Sequence, residues 1–192
     1  VHIHTFDGNA SFPWTQSLSS PSMSNVGDLY GASVSASADG VWLYVSAPNA
    51  GNVYVYQANA NSYYSYANTI SVGSSAAAQF GHNVKATSTG NQVAISAPYQ
   101  AVNGVSAAGT VYIVDRSIET FVANGNVYTT TYSNVNSVSK VTVNGNLVTS
   151  GYTFTGTTLT FTTAPTIGSL INVETNQFNL LETIQKIGRA HV

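Results

Sequence analysis

The chain has 192 residues, 43% of them apolar and only 6% charged, with a net charge of −2 and no cysteine. That length suits one domain and a small second one, and the apolar share can fill a core. The weak charge without a basic cluster excludes an electrostatic nucleic-acid footprint, the missing thiols exclude disulfides and thiolate metal sites, and no apolar run approaches the ~20 residues of a membrane span.

Helical periodicity is nearly absent. Alternating Val, Ile, Tyr and Thr, punctuated by Gly, Asn and Asp, predicts half-buried strands throughout. Val1–Leu18 aligns without a gap to Val53–Ile70, so the chain is read as opening inside a repeated element, with a partial copy over 1–18. The first full copy spans 29–70. Its strands are expected near Ala32–Ser35, Val41–Ser46, Val53–Tyr56 and Tyr63–Ile70, with a tight turn at Asp39-Gly40. A second copy starts at residue 80. Phe80-Gly81 repeats Tyr30-Gly31, Ser96-Ala97-Pro98 repeats Ser46-Ala47-Pro48, and Gly109-Thr110-Val111-Tyr112 repeats Gly51-Asn52-Val53-Tyr54. A period of about 50 residues made of short strands is the signature of a propeller or array. Strands of this copy are expected near Val84–Ala86, Gln92–Ser96 and Thr110–Val114. The loop Tyr99–Ala108 is longer than its counterpart at Asn49–Ala50.

After Asp115 the pattern changes. Residues 116–175 read as a small β module inserted at the tip of the hairpin between the third and fourth strands, where insertions are tolerated. Its strands are expected near Glu119–Val122, Val127–Tyr132, Val138–Val143, Leu147–Val148, Tyr152–Phe154, Thr158–Thr162 and Leu170–Val173, with Asn124-Gly125 and Asn144-Gly145 as turns. So many short strands predict a sandwich-like module. Residues 176–186 then return as the fourth strand of the interrupted copy, Phe178–Ile184 echoing Tyr64–Ile70. The hexapeptide Ile187–Val192 can be encoded by an adapter used in short-read sequencing libraries; it reads as an artefact and carries no fold expectation. The chain is therefore expected to be a metagenomic fragment of a protein longer at both ends.

The spaced elements Tyr30-Gly31, Ser46-Ala47-Pro48 and Gly51-Asn52-Val53-Tyr54, with their copies at Phe80-Gly81, Ser96-Ala97-Pro98 and Gly109-Thr110-Val111-Tyr112, resemble the FG-GAP repeat of integrin-type β-propellers. With the partial copies, the resemblance covers about two thirds of the chain. It implies an all-β fold of partial propeller-like repeats, each a four-stranded antiparallel blade. Many such repeats carry an Asp-x-Asp-x-Asp-Gly calcium loop. Here Ser35–Gly40 holds one carboxylate and Thr87–Asn91 none, too few for a cage of six to eight oxygens, so calcium is not carried over. The insert, with Val141–Leu147, Tyr152-Thr153-Phe154 and Leu159–Pro165, resembles a small β module frequent in bacteriophage tail and fibre proteins. Together these resemblances imply a non-enzymatic structural or adhesive component of a phage virion, located on the virion or extracellularly. Its partners would be other virion or cell-surface proteins and host glycans, and the full-length protein would form a homo-oligomer. A secreted or cell-surface bacterial adhesin is the alternative, and an accessory region of an extracellular hydrolase a minor one.

No cofactor, catalytic or metal residue is assigned. His2 and His4 share a strand face and a His-x-His pair can hold zinc, but they align with the strand positions Tyr54 and Tyr56. His82 can be drawn as a general base with Asp115 and Glu119, yet no Gly-x-Ser-x-Gly element accompanies it. The tyrosines 54, 56, 63, 64 and 66 can stack on sugars or cover a sheet as cross-strand pairs; the second reading is preferred. The contact candidates are Tyr99, Gln100, Val102 and Asn103, on a long loop carried by a rigid scaffold.

Overall fold

A computed structural model describes residues 1–4, 14–22, 27–73, 76–130 and 138–185. The terminal hexapeptide, the middle of the partial copy and the end of the strand expected over Val127–Tyr132 lie outside the described residues. The fold is all-β, built of several small antiparallel sheets. It divides into a larger unit, Val1–Asp115 with the described residues from Leu180 onward, and a smaller unit, Arg116–Asn179.

In the larger unit, β1 (His2–His4) and β2 (Trp14–Ser17) form a two-stranded sheet. Strands β3 (Val34–Ala36), β4 (Trp42–Ala47), β5 (Asn52–Ala58) and β6 (Tyr64–Ile70) follow as a four-stranded meander in chain order. Each is within two or three residues of its sequence-expected position. The Asp39-Gly40 turn forms as expected, Gly40 taking φ 69° and donating its N–H to the Ser37 carbonyl at 3.0 Å. Next come β7 (Val84–Ala86), β8 (Gln92–Ala97) and the start of β9 (Thr110–Val122), paired in that order.

The contacts of the first copy recur about fifty residues on. Gly31 donates to the Ser46 carbonyl at 2.8 Å, and Gly81 to that of Ser96 at 3.0 Å. The Ser46 hydroxyl accepts the Ser33 N–H, and the Ser96 hydroxyl that of Asn83, both at 2.9 Å. The Tyr30 and Tyr54 rings lie 5.8 Å apart, and the Phe80 and Tyr112 rings 5.4 Å. The copies touch through β3 and β7. The Ser33 hydroxyl accepts the Val84 N–H and the Ser35 hydroxyl the Ala86 N–H, both at 3.0 Å, while the buried Tyr44 donates its hydroxyl to the Gly90 carbonyl. All of β4 is buried, because one face meets Leu18, Tyr54 and Tyr56 and the other meets the second copy. Burial of each such Val or Leu contributes roughly 1.5–3 kcal/mol.

The smaller unit holds the rest of β9, β10 (Val127–Thr129), β11 (Val138–Val143), β12 (Asn146–Val148), β13 (Tyr152–Thr155), β14 (Thr158–Phe161) and the first part of β15 (Leu170–Gln185). A three-stranded sheet, β10-β14-β13, and the strands ordered β12-β11-β15-β9 contribute to one core of Tyr128, Leu159 and Phe161 with Val141, Ile171 and Val173. One expectation is corrected. The strands expected separately at Thr110–Val114 and Glu119–Val122 are a single strand, and so are Leu170–Val173 and the returning segment. Nothing in Asp115–Ile118 breaks extension: no Gly or Pro interrupts it, and Arg116 is held to Glu174 at 2.8 Å.

Candidate functional site

The loop after β8 has a fixed shape. Asn103 and Gly104 take φ 49° and 81°, a pair of left-handed residues that makes a two-residue hairpin tip. On either side, Val102 and Val105 exchange both backbone hydrogen bonds, at 3.0 and 2.9 Å. The base is closed by the Gly109 N–H on the Gln100 carbonyl at 3.0 Å, and the Tyr99 N–H reaches the Ala78 carbonyl at 3.3 Å.

The four candidate residues separate into two roles. Tyr99 is 53% exposed and Asn103 stands at the exposed tip, so both face solvent. Val102 is buried at 7% and anchors the loop instead of offering itself to a partner. Gln100 is half-buried; its Nε2 donates to the Ala101 carbonyl at 3.2 Å, and its buried Oε1 has no donor. Val105, 53% exposed beside the tip, belongs with Tyr99 and Asn103. Its signal was present, since Asn-Gly between two valines is a hairpin pattern.

The tyrosines divide likewise. Tyr54 and Tyr56 are buried, whereas Tyr63 and Tyr66 are about half exposed. Tyr56 pairs across strands with Tyr66, ring to ring at 6.2 Å. The Tyr56 hydroxyl donates to the Ser19 carbonyl at 3.0 Å and lies 2.6 Å from that of Tyr30. Burial, and then the neighbouring phenols, push the Tyr56 hydroxyl far above its usual range; burial also raises Tyr30, Tyr64 and Tyr112. A hollow of about 270 Å³ opens between Tyr54, Tyr66, Asn52 and Pro21, and a second of about 600 Å³ in the smaller unit between Asn146, Val148, Thr163 and Pro165. Neither is lined by a charged side chain.

The titratable groups are dispersed or engaged. The Asp39 carboxylate accepts the Val41 N–H at 3.0 Å and the Ser37 hydroxyl, so it closes its own turn. Among the described residues no group of three or more His, Cys, Asp or Glu is placed to hold a metal. His82 accepts from Asn83 Nδ2 at 3.2 Å. Pairing of β1 with β2 brings the Ser17 hydroxyl to 2.9 Å from His2 Nδ1, a pair invisible in the sequence because the two residues lie far apart along it. Both are exposed, and among the described hydrogen bonds no carboxylate orients the ring. Among the described residues no helix is long and apolar enough to cross a membrane.

Compared with known proteins, the chain matches no family model, no curated protein and no solved structure. The likeness to FG-GAP repeats rests on the quoted residues alone.

Proposed function

We propose that this chain is a non-enzymatic structural and adhesive part of a phage virion, associated with the tail or a fibre. In this reading its four-stranded copies stack as propeller-type blades and the smaller unit is the fibre-type module. The observation that carries the adhesive reading is the hairpin tip between β8 and β9. A pre-shaped loop loses little entropy on binding, and it presents an aromatic ring, an amide and an aliphatic side chain with no charge. That chemistry suits neutral, hydroxyl-rich surfaces such as glycans. A bacterial cell-surface adhesin would use the same loop; flanking capsid and tail genes, against a wall-sorting signal, separate the two. The direct test is binding of the chain to an array of bacterial surface glycans. A restricted set of hits, weakened at least tenfold by Tyr99→Ala at unchanged melting temperature, is expected. A featureless array, or release of sugar from any glycan, would sink the proposal.

A further inference from the structure

The two copies in the larger unit bury their faces unequally. In the first copy, Tyr44, Ser46, Val53 and Val55 form one face of β4 and β5, and all four are fully buried. The second copy covers them. A Cβ on Gly81 would come within 3.2 Å of the Asn52 carbonyl, the Ser46 Cβ and the Val53 Cγ2, so the Phe80-Gly81 turn lies directly on this face. The partial copy meets the first in the same manner, for a Cβ on Gly31 would lie 3.1 Å from Val1 Cγ2. Val1 and Val53 are equivalent in the repeat, as are Gly31 and Gly81. One contact is thus made twice.

The equivalent face of the second copy consists of Ala94, Ser96, Val111 and Ile113, paired across β8 and β9 as Ala94 with Ile113 and Ser96 with Val111. All four are partly exposed. The opposite face of the same strands is more deeply buried: Val93, Ile95 and Ala97 have no exposure and Val114 has 2%, and Tyr112 is partly exposed. The more exposed face is therefore the one that, a copy earlier, receives an aromatic-glycine turn.

We infer that the Ala94/Ser96/Val111/Ile113 face is a docking surface for a further β unit led by an aromatic-glycine turn. The glycine of that turn sits over Ser96 and Val111 as Gly81 sits over Ser46 and Val53. Three positions differ from the contact already made: Asn83 stands for Ser33 and its amide oxygen can still accept, Ala94 stands for Tyr44, and Lys85 stands for Ser35. Lys85 stands where Ser35 accepts a backbone N–H, and an ammonium group cannot accept. The incoming unit therefore offers a carbonyl or carboxylate oxygen opposite Lys85. A second copy of the chain fits poorly, because its own Gly31 turn is already occupied by Val1.

The chain has no cysteine, so single thiols can read the face. Val53→Cys and Val111→Cys are each combined with Lys85→Ser, which restores an acceptor for the Ala86 N–H of an added copy, and are labelled with a maleimide in the full chain, and again with residues 71–115 repeated after Val192. Val53→Cys labels slowly in both, which reports that the existing contact is intact. Val111→Cys labels at least tenfold faster in the full chain, and its rate falls to that of Val53→Cys in the extended one. Replacing the appended copy of Gly81 by valine restores fast labelling. A Val111→Cys rate unchanged by the extension overturns the inference. Protection of Val111→Cys in the unextended chain that grows with concentration, with dimers in sedimentation, also overturns it and names a second copy as the occupant.

Discussion

Replacing Gly81 by alanine separates two physical terms. Gly81 has φ 93°, which costs an L-residue about 1–2 kcal/mol. The added methyl would also stand 3.2 Å from the backbone carbonyl of Asn52, from Ser46 Cβ and from Val53 Cγ2. These atoms belong to a buried sheet and yield little, so overpacking adds about 1–3 kcal/mol. The sum is about 2–5 kcal/mol. Gly73, at φ 68° with nothing within 4 Å of its Cβ position, supplies the backbone term alone. Gly31, at φ 89°, meets only the Val1 side chain at 3.1 Å, which can shift, so it falls between. Urea denaturation followed by tryptophan fluorescence reads this directly, since Trp14 and Trp42 both belong to the larger unit. The expected order of destabilisation is Gly81→Ala, then Gly31→Ala, then Gly73→Ala, at constant m-value. Equal midpoints for Gly81→Ala and Gly73→Ala would show that the copies do not pack through this turn.

Four further outcomes are expected. Because burial holds the Tyr56 proton in the fold, the unfolded chain releases it first as pH rises past about 10; stability is fully present below that pH and falls above it by about 1.4 kcal/mol per pH unit for each proton retained. Tyr56→Phe flattens this slope in alkaline melts. In the smaller unit, Glu174→Gln deprives the buried Arg116 of its carboxylate and costs about 3 kcal/mol, whereas Lys140→Ala, which removes a half-exposed ammonium 3.6 Å from the same carboxylate, costs under about 1 kcal/mol; amide exchange at Val141 and Val173 measures both. Gln100→Met removes a buried oxygen that has no donor and is expected to leave the melting temperature equal or higher, and a clear drop would show that Oε1 is satisfied in solution. Gly104→Val, in open space but at φ 81°, loosens the hairpin tip by about 1–2 kcal/mol, visible as faster exchange at Val102 and Val105 with β4 unchanged.

Strand positions in the first copy were legible because alternation, Asp39-Gly40 and the recurring Ser-Ala-Pro fix the register locally. The bonds between the copies were not. Ser33 and Ser35 look like ordinary exposed strand serines, and only the placement of β7 beside β3 turns their hydroxyls into acceptors for Val84 and Ala86. The left-handed residues entering each copy, Leu29 and Gln79, carry no glycine to announce them. Val102 was chosen for its place in a long loop, and its burial depends on how that loop folds back over its own base. Continuity of β9 and β15 was hidden because the change of pattern at Arg116 is one of composition, which the backbone does not follow.

The serine link between copies is directed at main-chain N–H groups. A main-chain N–H survives every substitution except proline. The strand that supplies the N–H groups can therefore exchange its side chains over generations and still be held, as far as this bond is concerned, while the accepting strand needs only a small hydroxyl residue. Such a joint lets neighbouring copies diverge from each other in sequence without renegotiating how they stack.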